Sequence, residues 1–214
     1  MQDISGLERI RISSIEPNTV TDSLLKLISE SKIICSHLHI PLQAASDTIL
    51  KGMNRCYDTN KFQELMQRFR EFLPDGALGT DIITGFPGET EDLFQEGLEF
   101  IGQQPFTYLH VFRFSPRDGT KAVCLKDPVS VLTAKKRSQV LQLVSDKLKS
   151  QDAQTFVGKN SEVLFEEQKE EGFYEGYTPE YLRVRVSSPK DLTNQIVAVK
   201  LSDFEGRYFE GSLK

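Results

Sequence analysis

No apolar run among these 214 residues approaches the roughly 20 needed to cross a bilayer, so the sequence offers no membrane-spanning helix and no membrane partner is expected. The first residues, Met1 to Arg9, lack the basic-then-apolar order of a secretion signal, and the chain reads as cytoplasmic. Cysteine is scarce. Cys35, Cys56 and Cys124 stand 21 and 68 positions apart, without the close spacing of a zinc or cluster motif, so buried or idle thiols are expected. A net basic charge is lacking too. The formal charge of -5 excludes a generic nucleic-acid coat. The charge is uneven, however. From Arg117 to Lys149 eight Lys/Arg face three Asp/Glu, a local +5, whereas from Phe156 to Lys214 eight face eleven, a local -3. The basic stretch can face phosphates or be a solvated helix face, and composition favours the latter.

What is present is a repeating strand–helix pattern. Arg9–Glu16 alternates polar and apolar residues and stops at Pro17, which predicts a strand. Thr21–Ser31 predicts a short amphipathic helix, and Ile33–Ile40 a second strand ended by Pro41. Ser46 and Asp58 are placed to cap a short and a longer helix, the latter with Phe62, Leu65, Met66, Phe69 and Leu73 on one face. A third strand ends at Thr84, a helix runs from Thr90 to about Gln103, and a fourth strand covers Phe106–Ser115. Such alternation demands right-handed crossovers and a parallel sheet. Four strands make about half of an eight-stranded barrel. The chain starts directly at a strand, so the beginning of a larger protein is expected to be missing: an N-terminal domain of the same protein and the front of the barrel. A long helix, about Ser130–Gln154, follows. Five short β-rich runs then come in about sixty residues, separated by turns, which predicts a small closed OB-like barrel. The expected fold is α/β: a partial (βα) barrel over 1–152, then an all-β barrel over 153–214, with the boundary near Ala153–Gly158.

The densest chemical signal is Gly79-Thr-Asp-Ile-Ile-Thr-Gly-Phe-Pro-Gly-Glu89: a buried strand, a glycine-rich loop and a helix start. Ligands of α/β folds sit where strands end. Gly85 and Gly88 allow positive φ or close approach of a ligand, and the helix after Thr90 aims free N–H groups at the same place. Strand alternation gives His37 and His39 one face, Asp81 and Ile83 one face, and His110, Phe112 and Phe114 one face, so several strands deliver polar groups to one mouth. Ser14, Glu16, Gln43 and Arg55 lie close to it along the chain. His37 and His39, without a third ligand of known position, are expected to be hydrogen-bonded interior histidines rather than a metal pair. Arg55 has the fork to clamp a carboxylate.

Five segments in order resemble the methylthiotransferase family of radical S-adenosylmethionine enzymes: Arg11–Pro17, His37–Gln43, Met53–Tyr57, Asp81–Thr90 and His110–Thr120. The resemblance covers essentially the whole chain, with Ala44-Ala45 standing where the family usually has Ser-Gly. The C-terminal part resembles the family's TRAM domain, an RNA-binding barrel. Asn54-Arg55-x-Tyr57 and Gly176-Tyr177-Thr178-x-x-Tyr181 resemble most the branch that places a methylthio group on C2 of N6-threonylcarbamoyladenosine beside the tRNA anticodon. Sister branches act on isopentenyladenosine in tRNA or on a ribosomal-protein aspartate.

The resemblance implies S-adenosylmethionine as cofactor and two [4Fe-4S] clusters in the full-length enzyme, one of them held by Cys-x3-Cys-x2-Cys. This chain has no such motif, so no metal ligand and no catalytic residue is assigned and inactivity alone is expected. The candidate cofactor-binding residues are Ser14 and Glu16 for ribose hydroxyls, Arg55 for the carboxylate, the loop at Gly85 and Gly88 for adenine, and His39, Gln43 and Asp81 between cofactor and substrate. The candidate RNA-binding residues are Tyr177, Tyr181, Arg183 and Arg185. Two other readings compete: a non-catalytic RNA-binding module, and a cluster-free enzyme using Asp81 or His110 as acid or base.

Overall fold

The structure, a computed structural model, describes residues 4–214; the first three residues of the segment Met1–Arg9 lie outside them. Helices form where caps and apolar stripes coincide. Thr21 accepts from the Leu24 N–H to open α1 (Asp22–Glu30), Asp58 from the Lys61 N–H to open α3 (Thr59–Phe72), and Thr90 from the Leu93 N–H to open α4 (Glu91–Gln103). The short α2 (Asp47–Gly52) begins after Ser46, whose hydroxyl makes no cap bond. Ser130 caps α5 (Val131–Gln154) through the Thr133 N–H.

Three strands, β1 (His37–His39), β2 (Ala77–Thr84) and β3 (Tyr108–Arg113), form one parallel sheet in that order. Leu38, Ile40, Leu78, Ile82 and Leu109 join Phe62, Met66, Phe69, Phe94 and Ile101 from the helices in one buried core. The helices thus bury one face of the sheet, and the face carrying His37, His39, Asp81 and His110 is left for chemistry.

The expected four-stranded arrangement is corrected at its first member. Arg9–Glu16 is not a strand. It touches the following segment at two separated points: a parallel bridge at Ile10–Ile34, ahead of β1, and a bond from the Ile15 N–H to the His39 carbonyl of β1. Between them Arg11 donates to the carbonyls of Thr178 and Pro179, and Arg9 donates to those of Tyr177 and Glu162. The segment is therefore held by two backbone contacts and by arginine side chains that reach the barrel, not by a continuous ladder. The second expected strand, Ile33–Ile40, is continuous only over His37–His39, with Ile34 held by an isolated bridge to Ile10.

The other edge of the sheet is closed by a side chain. Fully buried Ser145 of α5 accepts from the Leu109 N–H at 2.9 Å and donates to the Leu109 carbonyl at 3.0 Å, so one hydroxyl does at that point what a fourth strand would do. Thr84 likewise donates to the Ala134 carbonyl.

Beyond α5, strands β4 (Asn160–Glu170), β5 (Phe173–Tyr177), β6 (Arg183–Ser187), β7 (Gln195–Phe204) and β8 (Phe209–Leu213) close into a barrel in the order β4-β5-β6-β8-β7. The pattern of alternate residues pointing inward places Val163, Phe165, Val184, Val186, Val199, Leu201 and Phe209 in a second core. Gly211 is required there: a Cβ would meet the methyls of Val199, Val184 and Val186.

Candidate functional site

The polar face of the sheet is organised around Tyr108. Its strand neighbour across the ladder is Gly79, and the Tyr108 ring occupies the space that a Cβ at position 79 would need. That lets the phenol reach across to β1. Its hydroxyl lies 2.9 Å from His37 Nε2 and 3.3 Å from His39 Nδ1. The other nitrogen of His39, Nε2, is 2.8 Å from Asp81 Oδ1, and His110 Nδ1 stands 3.6 Å from the same oxygen. Burial holds His37 down to about 3, helped by the Arg11 and histidine charges nearby, so its ring is neutral at ordinary pH. Burial pushes the Tyr108 phenol up, and partial burial, then His39, pulls His110 below the ordinary histidine value. The two histidines of β1 are the hydrogen-bonded interior pair that the sequence predicts.

The barrel reaches over this face. Tyr181, in the left-handed region at φ 65°, lies 4.9 Å from the His37 ring and 5.9 Å from the Tyr108 ring. It stacks on Tyr177 at 4.9 Å, and the Arg11 guanidinium sits 4.8 Å over it. Beside the stack, Tyr108, His110, Lys149, Tyr177, Tyr181 and Arg183 border a cleft of about 390 Å³. Sequence reasoning named Tyr177, Tyr181 and Arg183 separately from Asp81 and His110. The fold brings the two sets to the same cleft, with Asp81 beside His110.

The remaining candidates are dispersed. Arg55 pairs with Glu16 at 3.8 Å, and its buried Nε has no partner. Ser14 is exposed. Gln43, at φ 69°, bridges β2 by accepting from the Ile83 N–H and donating to the Asp81 carbonyl. Gly85 and Gly88 do take positive φ, 79° and 87°, but for different ends. A Cβ at Gly85 would collide with the Ala134 methyl 2.5 Å away, so this glycine lets α5 approach. Gly88 has open space around it. The expected positive φ is thus found at both glycines, with open space beside Gly88, whereas Gly85 is a packing glycine on the rim of a separate hollow with Pro87 and Phe114. Arg183 is paired with Glu175, and Arg185 with Glu170 at 2.7 Å while it lies over Phe173. Each of the two barrel arginines expected to meet RNA is thus paired with a glutamate of the barrel. Sequence reasoning missed Tyr108 and Gly79, because an outsized ring beside an absent one is visible only once the register is known.

Residues 2–101 match the Radical SAM superfamily. The chain is 37% identical over 212 residues to the threonylcarbamoyladenosine tRNA methylthiotransferase MtaB of Bacillus subtilis (strain 168), covering 97% of this chain and 47% of that protein. It is 38% identical over 165 residues to the tRNA-2-methylthio-N(6)-dimethylallyladenosine synthase of Corynebacterium urealyticum, covering 77% of this chain and 31% of that protein. The B. subtilis enzyme of the latter name is 32% identical over 209 residues, 97% of this chain and 41% of its own length. The chain thus spans about half, or less, of the length of the curated relatives it matches. Among solved structures, coproporphyrinogen III oxidase (HemN) of Escherichia coli superposes with a TM-score of 0.55 at 13% identity, over 96% of this chain and 51% of that one, a likeness of fold alone. By these sequence matches the chain belongs to the radical S-adenosylmethionine methylthiotransferase family.

Proposed function

We propose that this chain serves a tRNA methylthiotransferase that adds a methylthio group to C2 of N6-threonylcarbamoyladenosine beside the anticodon. The observation that carries the reading is the 37% identity over 97% of the chain to a protein named for that activity. Matches nearly as strong carry the dimethylallyladenosine name, which keeps that nucleoside as the second reading. In the proposed scheme the five-stranded barrel is a TRAM-type, OB-like RNA-binding domain over 153–214. The strand order, with its third and fifth strands parallel, supports this. The Tyr177–Tyr181 stack on the cleft offers aromatic faces to an unstacked base, and exposed Lys135, Lys136 and Lys147 of α5 offer charge to phosphates.

A [4Fe-4S] cluster needs converging thiolates. Cys35 is buried, Cys56 and Cys124 are exposed, and no three cysteines converge among the described residues. The cluster does not fit this chain, and no step is derived through it. For S-adenosylmethionine, the open backbone at Gly88 admits a flat ring, whereas Arg55, the expected carboxylate clamp, is already paired with Glu16. When bound, the cofactor supplies the radical precursor. Residues of this chain orient it and its substrate and exclude water.

The reading is tested in a strain that lacks 2-methylthio-N6-threonylcarbamoyladenosine. The protein containing this chain, together with any cluster-bearing portion encoded with it, is expressed, and the tRNA nucleosides are separated by mass spectrometry. The methylthio form of threonylcarbamoyladenosine is expected. Appearance of the dimethylallyl product instead selects the second reading, and neither product refutes both.

A further inference from the structure

We infer that His39, Asp81 and His110 form a binding site for one divalent transition-metal ion, open to the cleft between the parallel sheet and the barrel. The inference is independent of the proposed tRNA activity and assigns the three residues a role that an iron–sulfur cluster would not fill.

One ligand comes from each of three adjacent strands. His39 is registered with Gly79 on β2, Asp81 lies two residues further along β2 on the same face, and His110 on β3 is registered with Asp81. The sheet therefore converges two imidazoles and a carboxylate without help from any loop. Their ligand atoms all lie within 4.8 Å of one another, with His39 Nε2 at 2.8 Å and His110 Nδ1 at 3.6 Å from Asp81 Oδ1. An ion bound at about 2.0–2.2 Å by each ligand holds neighbouring donor atoms roughly 3.0–3.6 Å apart, so only small side-chain adjustments separate the observed triangle from a coordinating one. His39 and Asp81 account for each other as a hydrogen bond. His110 does not: at 3.6 Å its Nδ1 is beyond hydrogen-bond distance, so it approaches the pair without being satisfied by it.

The surroundings match a metal site in two further ways. The second nitrogen of His39 faces the Tyr108 hydroxyl, and that hydroxyl is tied in turn to His37, so an outer layer fixes the tautomer and the ring orientation of the innermost ligand. The side-chain exposures rise from 6% at His39 through 23% at Asp81 to 49% at His110. The three ligands thus cap one side of the ion from within, and the remaining positions face the cleft, where water or an oxygen or nitrogen of a bound molecule can complete the shell. Two imidazoles and one carboxylate select borderline ions, such as zinc, iron(II), cobalt(II) or nickel(II), over magnesium and calcium. Such an ion would act in the cleft as a Lewis acid that orients a polar group of whatever enters.

The test is cobalt(II) titration of the tag-free, chelator-stripped 214-residue chain, followed by visible absorption and by competition with zinc. One equivalent is expected to bind. His110→Ala and Asp81→Asn should each weaken binding by roughly 100-fold, and Tyr108→Phe by roughly 10-fold through loss of ring orientation. The Cys56→Ser/Cys124→Ser double variant should bind as the parent does. His110 is half-exposed, so its removal leaves the fold intact, which circular dichroism checks. Because the chain has only three histidines, imidazole NMR resolves the assignment directly: zinc should shift the signals of His39 and His110 strongly and that of His37 weakly. No binding at millimolar cobalt, binding unchanged in His110→Ala, or binding lost in the cysteine variant each overturns the site.

Discussion

Removing the Glu89 carboxylate is the perturbation with the largest calculable consequence. Glu89 closes the glycine-rich loop after β2. Its Oε2 accepts from the Gly85 N–H at 2.7 Å and from Arg137 of α5 at 2.8 Å, and Arg137 also donates to the Glu89 carbonyl at 2.8 Å. The pair is nearly sealed from water, at 6% and 9% side-chain exposure, with the Phe94 ring 5.2 Å under the guanidinium. Glu91 shares Arg137 at 3.0 Å but lies in solvent and cannot replace a buried charge. Glu89→Ala leaves a buried cation compensated only from solvent by Glu91, a loss of up to about 3–5 kcal/mol. It also orphans the Gly85 N–H, worth about 1–3 kcal/mol. The arginine relaxes toward Glu91, so about 3–5 kcal/mol is the expected total. Arg137→Met alone should cost less, because a carboxylate at the loop reaches water more easily than a guanidinium wedged under α5. The double variant should be more stable than the sum of the two losses predicts, by about 2 kcal/mol. Urea unfolding followed by far-ultraviolet circular dichroism measures all three. A Glu89→Ala protein within about 1 kcal/mol of the parent refutes the reasoning, since it would mean that the pair is solvated and the loop is held by other contacts.

Asp152, at the end of α5, has its carboxyl pushed up to about 6 from 3.8, by burial first, with Arg70 opposing and Glu180 and Asp75 adding to the rise. The folded state therefore holds this proton more tightly than the unfolded one. Its contribution to stability is full below pH 3.8 and is lost as pH rises through about 6. Asp152→Asn should be more stable than the parent at pH 7 by about 1–2 kcal/mol, after allowance for solvent reach, and should lose that advantage near pH 4; an equal gain at both pH values would contradict the assignment. Gly79→Ala drives a methyl into the Tyr108 ring and should cost about 1–3 kcal/mol while displacing the phenol from His37 and His39, readable as altered histidine NMR shifts. Arg9→Ala/Arg11→Ala removes four bonds to barrel carbonyls and should open the joint between sheet and barrel, seen as faster proteolysis between α5 and β4; unchanged cleavage would show that the joint is held elsewhere. Tyr181→Ala should weaken binding of a tRNA anticodon stem-loop by roughly 1–3 kcal/mol with little change in its salt dependence, as expected for stacking rather than charge.

The parts of this protein that depend on short stretches of chain are legible in the sequence, and those that depend on register are not. Asp58 announces a helix start because a cap is a bond between a side chain and a backbone group three residues on, whereas Ser46, equally placed in sequence, makes no such bond. The inward alternation of Val184 and Val186, and of Val199 and Leu201, is visible for the same reason, since a strand's period of two is a local property. Five ordered motifs identified the family, because chemistry constrains residue types at fixed spacing. Arg9–Glu16 misled by the same logic: its alternation is genuine, but its polar face carries two arginines that bond carbonyls more than 150 residues away, and alternation does not tell such a tether from a strand. Arg183 and Arg185 had a visible face but no visible partners, and the register of the barrel pairs them with Glu175 and Glu170.

The helices, the two cores and the glycine-rich loop were determined by sequence alone, because local hydrogen bonding and hydrophobic periodicity need no knowledge of what lies across the fold. Only the tertiary structure decided that Gly79 makes room for Tyr108, that Ser145 stands in for an absent strand, and that His39, Asp81 and His110 meet. Those outcomes turn on the register between strands, which is set by the packing of the whole chain and is written at no single place along it.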